Sequence, residues 1–204
     1  MVAHLTRPAR ISALLISVLA LGSLVVQIAA NLADGQGLLA TIGMMFRFFT
    51  IWGNFAAGVI FGWVAWRGTI EPRVPFALAA ALVIIAVVYH ALLAGGHNPQ
   101  GADWWTNIAH HSLVPAAGVG WWLLFSRDEL AGWRSLPIVT LVPIAYGAFA
   151  LAVGALTGFY PYFFLDLPNL GFGTVLANMI GLALLFMAVA AALLALRKSI
   201  RAFA

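Results

Sequence analysis

The chain has no cysteine, which removes disulfides, thiol catalysis and cysteine-ligated metals together and leaves the redox compartment open. Charge is scarce as well. Only 8% of the 204 residues are Asp, Glu, Lys or Arg, against 64% hydrophobic, a balance that no soluble domain of this size needs and that points to an integral membrane protein. No stretch between the apolar runs is long enough to build a separate soluble domain. Residues 1–204 therefore read as a single domain, with any chemistry inside a helical bundle or at its mouths. The formal charge of +4 does not indicate nucleic acid, because the basic residues lie in short stretches beside apolar runs, where they set topology; the partners expected are membrane lipids. An internal repeat, a low-complexity tract and an HExxH-type metal spacing are also missing.

What is present is a succession of long apolar runs. Met1 to Arg10 is short and basic, and the run from Ile11 to about Leu32 is too long for the core of a signal peptide, so it reads as a first, uncleaved span. Five more follow, at roughly 44–66, 75–94, 104–125, 135–157 and 173–196, each long enough to cross a bilayer. The expected fold is all-α and polytopic, with six transmembrane helices. Nine of the ten basic residues fall in four regions: the N-terminus (Arg7, Arg10), the second loop (Arg67, Arg73), the fourth loop (Arg127, Arg134) and the C-terminus (Arg197, Lys198, Arg201). The positive-inside rule makes these cytoplasmic and gives an N-in/C-in topology. Gly58-x-x-x-Gly62 and Gly154-x-x-x-Gly158 are small-residue pairs of the kind that let membrane helices approach closely.

The chemistry-bearing residues gather toward the outer face. Asp103-Trp-Trp-Thr-Asn-Ile-Ala-His-His-Ser-Leu-Val-Pro115 opens the fourth span and carries two histidines into it. Counting ~1.5 Å per residue from the outer end of each span, Thr50 and His110 both lie roughly 9 Å down, and Gln27, His90 and Asn178 roughly 6 to 8 Å down. On α-helical spacing Asn107, His110, His111 and Val114 share one face, as do Arg47, Thr50 and Asn54. Taken singly, each has an ordinary explanation. A threonine hydroxyl satisfies itself on the carbonyl one turn back, an arginine near a helix end snorkels, and a histidine bonds a neighbouring helix. Taken together, a hydroxyl nucleophile beside an imidazole base is sufficient for acyl transfer, and Arg47 is suited to hold a carboxylate or a developing oxyanion. Asp166, in an aromatic fifth loop, either orients the base or is an exposed surface acid.

Three segments carry a resemblance. Arg47-Phe-Phe-Thr50-Ile-x-x-Asn54, His110-x-x-x-x-Pro115 and Gly158-Phe-Tyr-Pro-Tyr-Phe-Phe-Leu-Asp166 resemble motifs of the androgen-induced-gene-like membrane proteins. Animal members of that family are threonine hydrolases of fatty acid esters of hydroxy fatty acids, and small bacterial six-helix relatives exist. The resemblance implies Thr50 as nucleophile and His110, not His111, as base, with no cofactor or metal, a lipid ester as substrate and a bacterial cytoplasmic membrane as location. Arg47, Asn54, His90, Asn107, His111, Asp166 and Asn178 would support the substrate or the pair. The chain departs from many bacterial relatives in having Gly120-Trp121 where they have Asp-Trp, so no Asp function carries over there. Two other readings compete. One is a metal-dependent lipid hydrolase with His90, His110, His111 and Asp166 or Asp103 as zinc ligands; the other is a non-enzymatic lipid-binding or carrier protein.

Overall fold

The computed structural model describes residues 4–126 and 133–202, and among these the regular structure is helical, with no strand. Arg127, one of the basic loop residues in the topology argument, lies outside the described residues. Five helical stretches are long and apolar enough to cross a membrane by length and composition: Arg7–Ala33, Phe49–Arg67, Arg73–Gly96, Trp133–Thr157 and Leu167–Ile200. The chain divides into two compact units, Met1–Ala131 and Gly132–Ala204.

In the first unit, helix α1 (Arg7–Ala33) starts with Pro8 in its first turn, where a missing N–H costs nothing because that donor has no intrahelical partner. Its buried stripe is made of small residues, Ala9, Ala13, Ser17 and Ala20, against which α3 (Phe49–Arg67) packs closely. Ser17 donates to the Gly58 carbonyl at 2.7 Å, and a Cβ on Gly62 would stand 3.0 Å from the Ser17 hydroxyl. The first glycine pair thus serves close helix approach, as its spacing suggests.

Between these helices lies a break that the apolar pattern does not reveal. A short helix α2 (Leu38–Met45) ends in a turn held by Arg47 N–H to the Met44 carbonyl (3.1 Å) and Phe48 N–H to the Met45 carbonyl (3.0 Å). Phe48 is extended (φ −98°, ψ 134°), and α3 starts only after it. Arg47 therefore sits in the turn, so the i, i+3, i+7 face expected for Arg47, Thr50 and Asn54 reduces to Thr50 and Asn54.

Helix α4 (Arg73–Val88) runs into a π turn, Tyr89–Leu93, and a 3-10 turn, Ala94–Gly96. After the loop, α5 (Gly101–Ile108) passes through a second π turn, Ala109–Leu113, into α6 (Val114–Phe125). The expected fourth crossing is thus helical along its length but interrupted in register. Pro115 gives the physical reason: it cannot donate to the carbonyl four residues back and its ring crowds that carbonyl, and a widened turn immediately before it absorbs both effects. Phe61 packs edge-on to Trp121 (5.2 Å between ring centroids) and Phe76 against Trp122 (5.5 Å), filling the core between α3, α4 and α6.

In the second unit, α7 (Leu136–Thr157) ends at Gly158, whose φ of +73° and N–H bond to the Gly154 carbonyl (2.8 Å) make it a left-handed helix stop. Of the second glycine pair, then, Gly158 terminates a helix and Gly154 receives the Tyr160 ring. Helix α8 (Leu167–Ala202) is broken at Gly171 (φ 75°, ψ 160°), close to the start expected for the last span. The aromatic fifth loop folds onto these helices. Leu165 and Tyr162 are buried, Tyr162 stacks on Phe164 (5.1 Å, 4°), and Asn178 donates to the Phe164 carbonyl at 2.9 Å.

Candidate functional site

Thr50 lies in the first turn of α3, and its hydroxyl oxygen is 3.3 Å from Nε2 of His111. The carbonyl four residues back, that of Phe46, accepts the Trp52 indole N–H at 2.7 Å. Nδ1 of His111 is 3.0 Å from the Asn107 carbonyl. A carbonyl oxygen only accepts, so Nδ1 carries the hydrogen, and in a neutral imidazole Nε2 then offers its lone pair to the Thr50 O–H. That is the tautomer a general base needs. The ring is also held flat: Tyr89 stacks on it at 3.8 Å and 16°. The Tyr89 hydroxyl accepts from the Asn107 side-chain amide at 2.7 Å and lies 3.3 Å from Nδ1 of His97. Asn107 thus acts twice, with its carbonyl on the imidazole and its amide on the tyrosine that covers it.

Both π turns lie at this site, one supplying Tyr89 and the other His110 and His111. A π turn closes i to i+5 bonds, so residues beyond its start leave the α-helical face that precedes it. The structure accordingly brings Thr50 to His111, whereas the motif match pairs it with His110. His110 is 4% exposed, and its Nε2 is buried with no hydrogen-bond partner among the described residues. Its backbone carbonyl accepts from Asn54, a fully buried side chain whose amide also donates to the Thr50 carbonyl. His90 Nε2 lies 3.0 Å from the Ser112 hydroxyl, and the histidine is not among the residues that line the cavity beside the pair.

The Thr50 and His111 side chains line a cavity of about 300 Å³ in the first unit. Its lining combines apolar side chains, Met44, Met45, Phe48 and Ile51, with polar ones, Gln27, Asn31, His97, Asp103, Asn107 and His110. Gln27 organises the rim: it accepts from Thr106 and donates to Asp103 Oδ1 (2.8 Å) and Asn31 Oδ1 (3.2 Å). Of the other residues singled out in the sequence, Arg47 lies in the turn before α3. Asp166 and Asn178 belong to the second unit, where the Asp166 carboxylate accepts from the Asn169 side chain (2.7 Å) and backbone (3.3 Å). The orienting contact to the imidazole, one of the two roles left open for Asp166, comes from the Asn107 carbonyl.

Sequence reading passed over Tyr89. A usable signal was there: a tyrosine beside His90, at the end of an apolar run, needs a hydrogen-bond partner for its hydroxyl and so points to a polar pocket. Among the described residues, no three His, Asp or Glu side chains converge in a way that could hold a metal ion. Comparison with protein-family models, with curated proteins and with solved structures finds no match to the chain.

Proposed function

We propose that the chain is an intramembrane threonine hydrolase that cleaves a lipidic ester through an acyl-threonine intermediate. The observation that carries this reading is the Thr50 hydroxyl 3.3 Å from an imidazole nitrogen whose partner nitrogen is anchored on a carbonyl, at the wall of a cavity lined by both apolar and polar side chains. The resemblance of the Thr50, His110 and Tyr-Pro-Tyr segments to the androgen-induced-gene-like hydrolases supports the same chemistry. In this reading His111 replaces His110 as the base.

Thr50 Oγ1 attacks the ester carbonyl carbon while its proton passes to His111 Nε2. The tetrahedral intermediate collapses with cleavage of the carbon–oxygen bond to the alcohol portion, and the imidazolium returns the proton to that departing oxygen. Water then attacks the acyl-threonine, His111 takes its proton, and the acid leaves with Thr50 regenerated. The apolar lining residues accommodate the acyl chain and the polar ones the ester head. The membrane arrangement that accompanies this reading has six crossings, both termini cytoplasmic, and the cavity opening to the outer side of a bacterial cytoplasmic membrane.

Purified protein in detergent should hydrolyse medium- and long-chain acyl esters without added metal, and a fluorophosphonate should label Thr50. Thr50→Ala should abolish both. Activity that vanishes with chelator and returns with zinc would replace this mechanism by a metal-dependent one. Undiminished turnover in folded Thr50→Ala would remove the threonine mechanism altogether.

A further inference from the structure

Two buried polar atoms of the residues lining the cavity have no partner among the described residues, Asn107 Oδ1 and His110 Nε2. Asn107 spends its amide N–H on Tyr89, and its carbonyl oxygen Oδ1 is left buried without a partner among the described residues. Asp103, the one carboxylate among the lining residues, is exposed, and its Oδ1 accepts from Gln27. Both are acceptors. A buried acceptor left unmade costs free energy that a ligand donor recovers, and a negative charge on the ligand would stand beside that of Asp103. Met44, Met45 and Phe48, which also line the cavity, offer apolar side chains.

From this arrangement we infer that the cavity selects amphiphiles whose head is an uncharged hydrogen-bond donor of the glycerol type and rejects those ending in a carboxylate. The inference rests on the hydrolase reading only for the word ester; applied to it, the substrate class is a neutral acylglycerol-like ester. The donor hydroxyls of the head meet Asn107 Oδ1 and Asp103, while the chain follows the methionine side chains.

The test uses the full chain in detergent carrying Thr50→Ala, so that binding is read without turnover. Affinities are measured for 1-O-decylglycerol and for decanoate, and the ratio is compared with that of the same protein carrying Asp103→Asn, since partitioning into the micelle cancels between the two proteins. The asparagine still accepts from Gln27 but has no charge. We expect the glycerol ether to bind at least tenfold more tightly than the carboxylate, Asp103→Asn to reduce that ratio at least fivefold by tightening the carboxylate, and Asp103→Glu to retain it. Equal or tighter binding of decanoate, or a ratio unchanged by Asp103→Asn with Asp103→Glu as the folded control, overturns the inference. In the Thr50 protein, monodecanoylglycerol and the decanoyl ester of a hydroxy fatty acid are compared as substrates. Selective binding without any turnover removes the hydrolase reading and leaves the selectivity standing; turnover that favours the anionic ester does the reverse.

Discussion

The side-chain amide of Asn54 reaches the His110 carbonyl at 3.1 Å while donating to the Thr50 carbonyl at 2.8 Å, so one fully buried group ties the start of α3 to the second π turn. This clasp sets the relative position of the proposed nucleophile and the turn that carries its base. Asn54→Leu fills the same space but withdraws both donors, and the His110 carbonyl loses its partner. A loss of about 1 to 3 kcal/mol in stability is expected. Asn54→Asp should be worse, because it sets a carboxylate against two carbonyl oxygens. Thermal unfolding in detergent gives the order; an Asp variant as stable as wild type would mean that the clasp does not hold the turn.

Thr50 and His111 should behave as a unit. Removing either leaves the other without a task, so Thr50→Ala, His111→Ala and the double variant should all lose about 10²-fold or more in kcat/KM, with the double little worse than either single. His110→Ala separates the two histidines. In this geometry it removes a buried ring that has no hydrogen bond to Thr50, so its cost should appear in stability, with most of kcat retained in the folded fraction. Loss of kcat in folded His110→Ala with activity retained in His111→Ala would return the base to His110.

That reversal of neighbours marks where sequence stops being informative. The helices themselves, the close approach at Gly58 and Gly62, and the gathering of Gln27, Thr50 and His110, three of the five residues counted to one level, around one cavity were legible, because hydropathy, small-residue spacing and residue counting report on burial and position along a helix. The π turns were not. A residue's hydropathy is the same whether its turn closes at i+4 or i+5, and only Pro115 hinted that the regular ladder was interrupted. The turn at Phe46–Phe48 was hidden for a related reason: a single arginine between two phenylalanines does not interrupt the hydropathy, so the Met44 to Trp66 run looks continuous until backbone hydrogen bonds are traced.

Tyr89 allows the two supports of the imidazole to be separated. Tyr89→Phe keeps the stack on His111 but strands the Asn107 amide, whereas Tyr89→Leu removes both. The phenylalanine variant should retain more activity than the leucine variant, and its unfolding should show a loss of about 1 kcal/mol or more from the unpaired amide. Equal activity in both would assign the stacked ring no part in holding His111.

Topology gives the most direct test of which way the cavity faces, because one end of the first unit is already linked by contacts. Leu5 N–H bonds the Gly68 carbonyl at 2.8 Å, and Arg10 donates to the Ala65 and Trp66 carbonyls at 3.0 Å each, so the N-terminal segment and the α3–α4 turn share a side. Arg67 lies over Trp63 and Trp66, at 5.1 and 4.8 Å from their ring centroids, an arrangement suited to a membrane interface. At the far end of α1, Gln27 bonds Asp103 of α5, so the cavity and the α4–α5 loop lie away from that basic end. By the positive-inside rule, the expectation under test is that this arginine-rich end is cytoplasmic. The chain contains no cysteine, so single cysteines can be introduced at Glu71 and Gln100, both exposed, without a competing thiol. In intact cells a membrane-impermeant maleimide should label Gln100→Cys and spare Glu71→Cys until the membrane is opened. The opposite pattern would turn the cavity to the cytoplasm, and the lipid ester would then have to be one presented by the inner leaflet.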